Sequence, residues 1–64
     1  MVVNCNNKKM ELEEGTTVTQ LIHALHYRRA AVWINGRQLL ASDYDAHVIN
    51  QDDQIKILRI VAGG

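Results

Sequence analysis

The first twelve residues alternate. Met1, Val3 and Cys5 fall on one face of an extended chain, and Val2, Asn4 and Asn6 on the other. That two-residue period is the mark of a strand with one buried face. Asn6-Asn7 reads as a turn, because asparagine tolerates left-handed backbone angles. Met10 and Leu12 then alternate with Lys9 and Glu11, which predicts a second strand over 8–12 and closes a hairpin. Glu13-Glu14-Gly15 ends it, and the period changes. Val18, Leu21, Ile22 and Leu25 stand at i, i+3, i+4 and i+7, the spacing of one apolar helical stripe. Thr17 with Gln20 three residues later is a capping-box signature, so the helix is expected from Thr17 to about Leu25 or His26.

The alternation returns at Ala31-Val32-Trp33-Ile34. Asn35-Gly36 is the favoured pair for a tight hairpin turn, and Arg37-Gln38-Leu39 leads back. Residues 40–50 show no period. Ser42 or Asp43 is placed to cap a short turn around Tyr44, and Val48 and Ile49 are expected to anchor this stretch to the core. Gln51-Asp52-Asp53 is a polar turn. The last strand is expected over 54–61, with Ile55 and Ile57 on one face and Lys56, Leu58 and Ile60 on the other.

Two hairpins flanking a helix, followed by a strand, predict an α+β domain. The architecture is a mixed sheet of four to five strands with one main helix packed on one face. The first and last strands are expected to pair in parallel at the centre, since the connection between them is long enough to cross over. The sheet face away from the helix would then show Trp33, Leu58 and Ile60, and an apolar sheet face left open is a candidate docking surface.

Composition narrows the class further. Sixty-four residues make one domain with a small core. Seven Lys plus Arg balance seven Asp plus Glu, which is not the basic surplus of a nucleic-acid binder. No apolar run has the length of a membrane span, and no basic-then-apolar leader opens the sequence, so a cytoplasmic protein is expected. Cys5 is the single cysteine. It falls on the inward face without a neighbouring cation, so it reads as a core residue rather than a nucleophile. His23 and His26 lie off the helical stripe, and two histidines without a third ligand read as solvent-facing residues. Arg28-Arg29 suits the end of a helix, with a partner contact as the sharper alternative. The sequence closes on Val61-Ala62-Gly63-Gly64. Without Cβ atoms the two glycines make a thin arm with an unhindered carboxylate, able to enter a narrow slot in another protein. The expected organisation is a folded domain over 1–60 and a flexible tail over 61–64.

These features together resemble the ubiquitin-like β-grasp sulfur carriers, and most closely the ThiS family of thiamine (thiazole) biosynthesis. The resemblance runs through Asn6-Asn7, Gly15-Thr16-Thr17-Val18, Val32-Trp33-Ile34-Asn35-Gly36 and Asp53-Gln54-Ile55-Lys56-Ile57 to the terminal Gly-Gly. Asp52 departs from it, standing where the family commonly has glycine. The resemblance implies a carrier rather than an enzyme. A ThiF-like adenylating enzyme would use ATP and Mg²⁺ to activate the Gly64 carboxylate. Sulfur from cysteine through a desulfurase would convert it to a thiocarboxylate, and thiazole synthase would receive that sulfur. Gly64 would be the reactive residue, with Gly63, Ala62, Val61, Ile60, Leu58 and Trp33 facing partners. The chain itself would bind no cofactor or metal, no nucleic acid and no membrane. The same fold also serves as the small subunit of molybdopterin synthase and as a ubiquitin-like protein modifier, and both stay open as alternatives.

Overall fold

The computed structural model describes residues 1–61. Five strands and one α-helix follow in the order β1 (Val2–Cys5), β2 (Lys8–Glu11), α1 (Val18–Ala24), β3 (Ala30–Ile34), β4 (Arg37–Gln38) and β5 (Gln54–Arg59), with a 3₁₀ turn at Ala41–Asp43 before β5. The strands form one sheet in the order β2-β1-β5-β3-β4. β1 and β5 run parallel, Asn4 opposite Gln54 and Cys5 opposite Ile55, while every other neighbouring pair is antiparallel. This is the mixed sheet the patterning predicts, in the ubiquitin-like β-grasp arrangement the resemblance implies. The strand that leads to the Gly-Gly stands in the middle of the sheet, held on both sides.

Local chemistry explains the joints. Asn6 and Asn7 have φ of 52° and 67°, and Asn35 and Gly36 have 52° and 83°. A two-residue type I′ hairpin turn requires positive φ at both central positions. At the head of α1 the capping box forms as read: the Thr17 hydroxyl accepts from the Gln20 N–H, and the Gln20 side chain accepts from the Thr17 N–H. The helix ends at Ala24 with Leu25 as its C-cap, and the chain turns at His26, whose φ is 64°. There the His26 N–H donates to the His23 carbonyl and the Tyr27 N–H to the Ile22 carbonyl, both at 3.0 Å. Those two bonds are a Schellman motif, with histidine where glycine is usual.

The core lies between α1 and one sheet face. Val3, Cys5, Val32, Ile34, Ile55 and Ile57 from the strands meet Val18, Leu21 and Ile22 from the helix. Ile49 and Tyr44 from the long connection join them, and the Tyr44 hydroxyl donates to the Ala30 carbonyl at 2.8 Å. Three expectations need correction. Neither Ser42 nor Asp43 caps the short turn, whose N-cap is Leu40 without a side-chain bond. The Tyr44 ring, not a cap, holds this stretch in place. Val48 is exposed, because its backbone bridges to Thr17 at the margin and leaves only Ile49 pointing inward. Finally, β5 ends at Arg59 rather than at Val61. Its neighbour β3 starts at Ala30, opposite Arg59, and past that pair one backbone bond, from the Ile60 N–H to the Arg29 carbonyl, continues between them. Among the described residues no helix is long and apolar enough to cross a membrane.

Candidate functional site

The site is built on the sheet face that α1 does not cover. Alternation fixes its membership. With Ile55 and Ile57 turned into the core, Lys56 and Leu58 face outward on β5, and Ala31 and Trp33 face outward on β3. The register sets Trp33 opposite Lys56 and Ala31 opposite Leu58. The Lys56 ammonium lies 5.5 Å from the Trp33 ring centre, close enough for a cation–π contact. Trp33 is half-buried and Leu58 is 48% exposed. Both line a shallow concavity floored by β5 and walled by the Asn6-Asn7 turn and Gly36. Sequence reasoning brought Trp33 and Leu58 to one face, and both line this concavity. An exposed leucine beside a half-exposed indole is apolar area that a partner can cover.

Ile60 lies elsewhere. It lines a second cleft at the end of β5 with His26, Arg28, Arg29 and Arg59. Its N–H donates to the Arg29 carbonyl at 3.1 Å, which pins the root of the arm beside the start of β3. Arg59 stacks on Tyr27, 5.6 Å from the ring centre. Val61 is 77% exposed. Ala62, Gly63 and Gly64 lie outside the described residues, and with them the expected reactive carboxylate and most of the expected tail.

Two asparagines hold the arm-bearing strand. Asn6 Oδ1 accepts from the Ile57 N–H at 2.8 Å, and Asn6 Nδ2 donates to the Ile57 carbonyl at 3.2 Å. Asn35 Oδ1 accepts from the Gln54 N–H at 2.9 Å, and its Nδ2 donates to Asp53 Oδ1 at 3.0 Å. The other Asp53 oxygen accepts from the Asn50 N–H at 2.8 Å, so this buried carboxylate is satisfied on both sides. Pattern reading valued both asparagines for their backbone and missed their side chains. The available signal was the choice of Asn over Gly at the first position of each turn, which keeps an amide to spend on the neighbouring strand.

The rest of the chemistry is sparse. Cys5 is 4% exposed, and burial pushes its thiol up from the ordinary value, because the thiolate is costly to desolvate. Its reading as a core residue holds. Among the described residues no group of histidine, cysteine and carboxylate side chains is placed to hold a metal ion. His23 and His26 are exposed, as the patterning predicts.

Comparison with known proteins agrees with the fold. The model of the ThiS family matches residues 2–64. The sulfur carrier protein ThiS of Escherichia coli (strain K12) is 30% identical over 66 aligned positions that span 100% of both chains. A crystal structure of a thiamine biosynthesis protein (ThiS) from Geobacter metallireducens superposes with a TM-score of 0.83 at 28% identity, covering 100% of each chain. A solution structure of a thiamine biosynthesis protein from the same organism gives 0.79 at 26% identity, covering 100% of this chain and 88% of that one.

Proposed function

The chain belongs to the ThiS family, and we propose that it carries sulfur for thiamine biosynthesis on the carboxylate of Gly64. The observation that carries this reading is the extent of the family match, which runs through the Gly-Gly to residue 64. The state of Cys5 supports it. A sulfur carrier without an accessible thiol needs another handle, and the single cysteine is buried with its thiol held protonated.

A carboxylate at neutral pH is a poor electrophile, so it has to be activated. In the proposed sequence an adenylating enzyme of the ThiF type binds ATP and Mg²⁺, and a Gly64 oxygen attacks the α-phosphorus, releasing pyrophosphate. The terminal sulfur of a persulfide attacks the resulting acyl carbon and AMP leaves. A second thiol cleaves the S–S bond of that adduct, supplying two electrons, and the Gly64 thiocarboxylate is freed. Its sulfur is a nucleophile that thiazole synthase can use. The persulfide derives from cysteine through a desulfurase. Catalysis belongs to these partners; the chain contributes the handle and the surface that presents it. Gly63 keeps the arm narrow, and Trp33 and Leu58 dock the body. Four extended residues reach at most about 13 Å, enough to place the carboxylate in a partner's slot while the domain stays outside.

The test is intact-mass measurement after incubation with a ThiF-type enzyme, ATP and a sulfur source. The expected result is a gain equal to exchanging one oxygen for sulfur, absent from a chain lacking Gly63 and Gly64. No gain with an enzyme competent on another ThiS protein would sink the reading. Gly64 found in isopeptide linkage to lysines would replace it with that of a protein modifier.

A further inference from the structure

The charges of this chain balance in number but not in place. Asp52 and Asp53 stand before β5, and Arg59 closes it, six strand residues or about 20 Å further on. At that far end the cleft is lined by His26, Arg28, Arg29, Arg59 and Ile60, with no carboxylate in its lining among the described residues. Placing three arginines around one cleft costs repulsion, and two local features put them there. The left-handed His26 turns the chain sharply off α1, so that Arg28 and Arg29 lead into β3 alongside the end of β5. The Tyr27 ring then backs Arg59 from beneath.

We infer that this cleft is a second docking surface, which receives an acidic patch at the rim of the slot that takes the arm. The inference rests on the proposed function, in which an adenylating enzyme draws Gly64 inside. Its geometric basis is the shortness of the arm. The Ile60 N–H is bonded to Arg29, so the root of the arm is part of the cleft wall. A slot that swallows the residues after Val61 must bring its rim within about 13 Å of Ile60, against these arginines. A rim of like sign would repel them in a partly dehydrated contact. A rim of carboxylates would steer the approach and fix the orientation of the body. The apolar concavity at Trp33 and Leu58 supplies contact area; the arginine cleft supplies charge recognition next to the arm.

The test is association of the intact chain with its adenylating enzyme in the absence of ATP, followed over a range of ionic strength. The double variant Arg28→Gln/Arg29→Gln should bind about tenfold more slowly at low salt, with the difference vanishing at high salt. Arg59→Lys keeps the charge and should bind nearly as the parent does. Both changes are at exposed residues, and thermal unfolding will show whether the fold is intact. Equal association rates and salt dependence for parent and double variant would overturn the inference, as would binding of a single-stranded oligonucleotide at this cleft in place of the enzyme. Salt-dependent binding without any mass gain on adding ATP and sulfur would instead sink the thiocarboxylate reading and leave the docking surface standing.

Discussion

The side-chain amide of Asn6 pairs with the backbone of Ile57 as a strand residue would, accepting from its N–H and donating to its carbonyl. β1 has already ended at Cys5. The amide therefore extends the parallel β1–β5 ladder past the hairpin turn, toward the end of β5 where the arm begins. Two substitutions separate its two duties. Asn6→Gly removes the amide and keeps the positive φ, and should cost about 1–2 kcal/mol for the lost bonds. Asn6→Ala loses the amide but keeps a Cβ in the left-handed region, without the short polar side chain that lets asparagine adopt it, and should cost about 1 kcal/mol more than the glycine variant. Urea unfolding of the two variants measures both, and equal losses would show that the backbone contributes nothing.

Asp53 makes a different demand. Both of its oxygens accept, one from Asn35 and one from the Asn50 backbone. Asp53→Asn changes few atoms but turns a donor toward a donor. The expected loss is about 1–3 kcal/mol, the cost of a buried polar group left without its partner. A variant as stable as the parent would show that the Asn35 amide can rotate to compensate.

Burial raises the Cys5 thiol above its ordinary value of 9.0. The folded chain therefore keeps the proton at a pH where the unfolded chain has released it. The stability at stake is fully present below the unfolded value and is lost as pH rises through the raised folded one. Denaturant unfolding from neutral pH upward should show the parent losing stability above about pH 9 faster than Cys5→Ala, which carries no thiol. Parallel curves would count against the burial argument. A thiol reagent at neutral pH should label Cys5 only when the chain unfolds.

Leu58 and Trp33 offer a test of the open face. Leu58→Asn sits on a half-exposed position and should change stability by no more than about 0.5 kcal/mol. Its association with the proposed adenylating enzyme should weaken about tenfold or more at every salt concentration, because the loss is one of apolar contact. Trp33 is the single tryptophan, so its emission should shift to the blue when the partner covers the face. An unshifted spectrum on a fully bound chain would place the contact elsewhere.

Much of this molecule was legible from spacing alone. Thr17 and Gln20 announced the start of α1, and Asn35-Gly36 the second hairpin, because capping and tight turns depend on residues adjacent in sequence. The inward set of β1, β3 and β5 followed from alternation. What spacing hid was long-range. Nothing near Asn6 says that its amide reaches Ile57, and nothing near Arg28 says that Arg59 will stand beside it. The long connection after β4 hid more: Tyr44 is fixed by a bond to Ala30 that the surrounding residues do not foreshadow. Asp52 was legible as a departure from the family. With φ at 68° it occupies the conformation that glycine would take there, so the turn keeps its geometry with a different residue.

The pairing of β1 with β5 sets the order in which the molecule can assemble. The centre of the sheet joins Asn4 to Gln54 and Cys5 to Ile55, residues from opposite ends of the chain. Each hairpin and the helix can form locally, but none of them completes the core until nearly the whole chain has closed on itself, at the entropic cost of a long loop. Folding should accordingly be cooperative and slow for a domain of this size. The amides at the β1–β5 seam should exchange with solvent only through global opening. A chain cut short within β5 would lose more than its handle: it would be left as hairpins and a helix with no sheet to join.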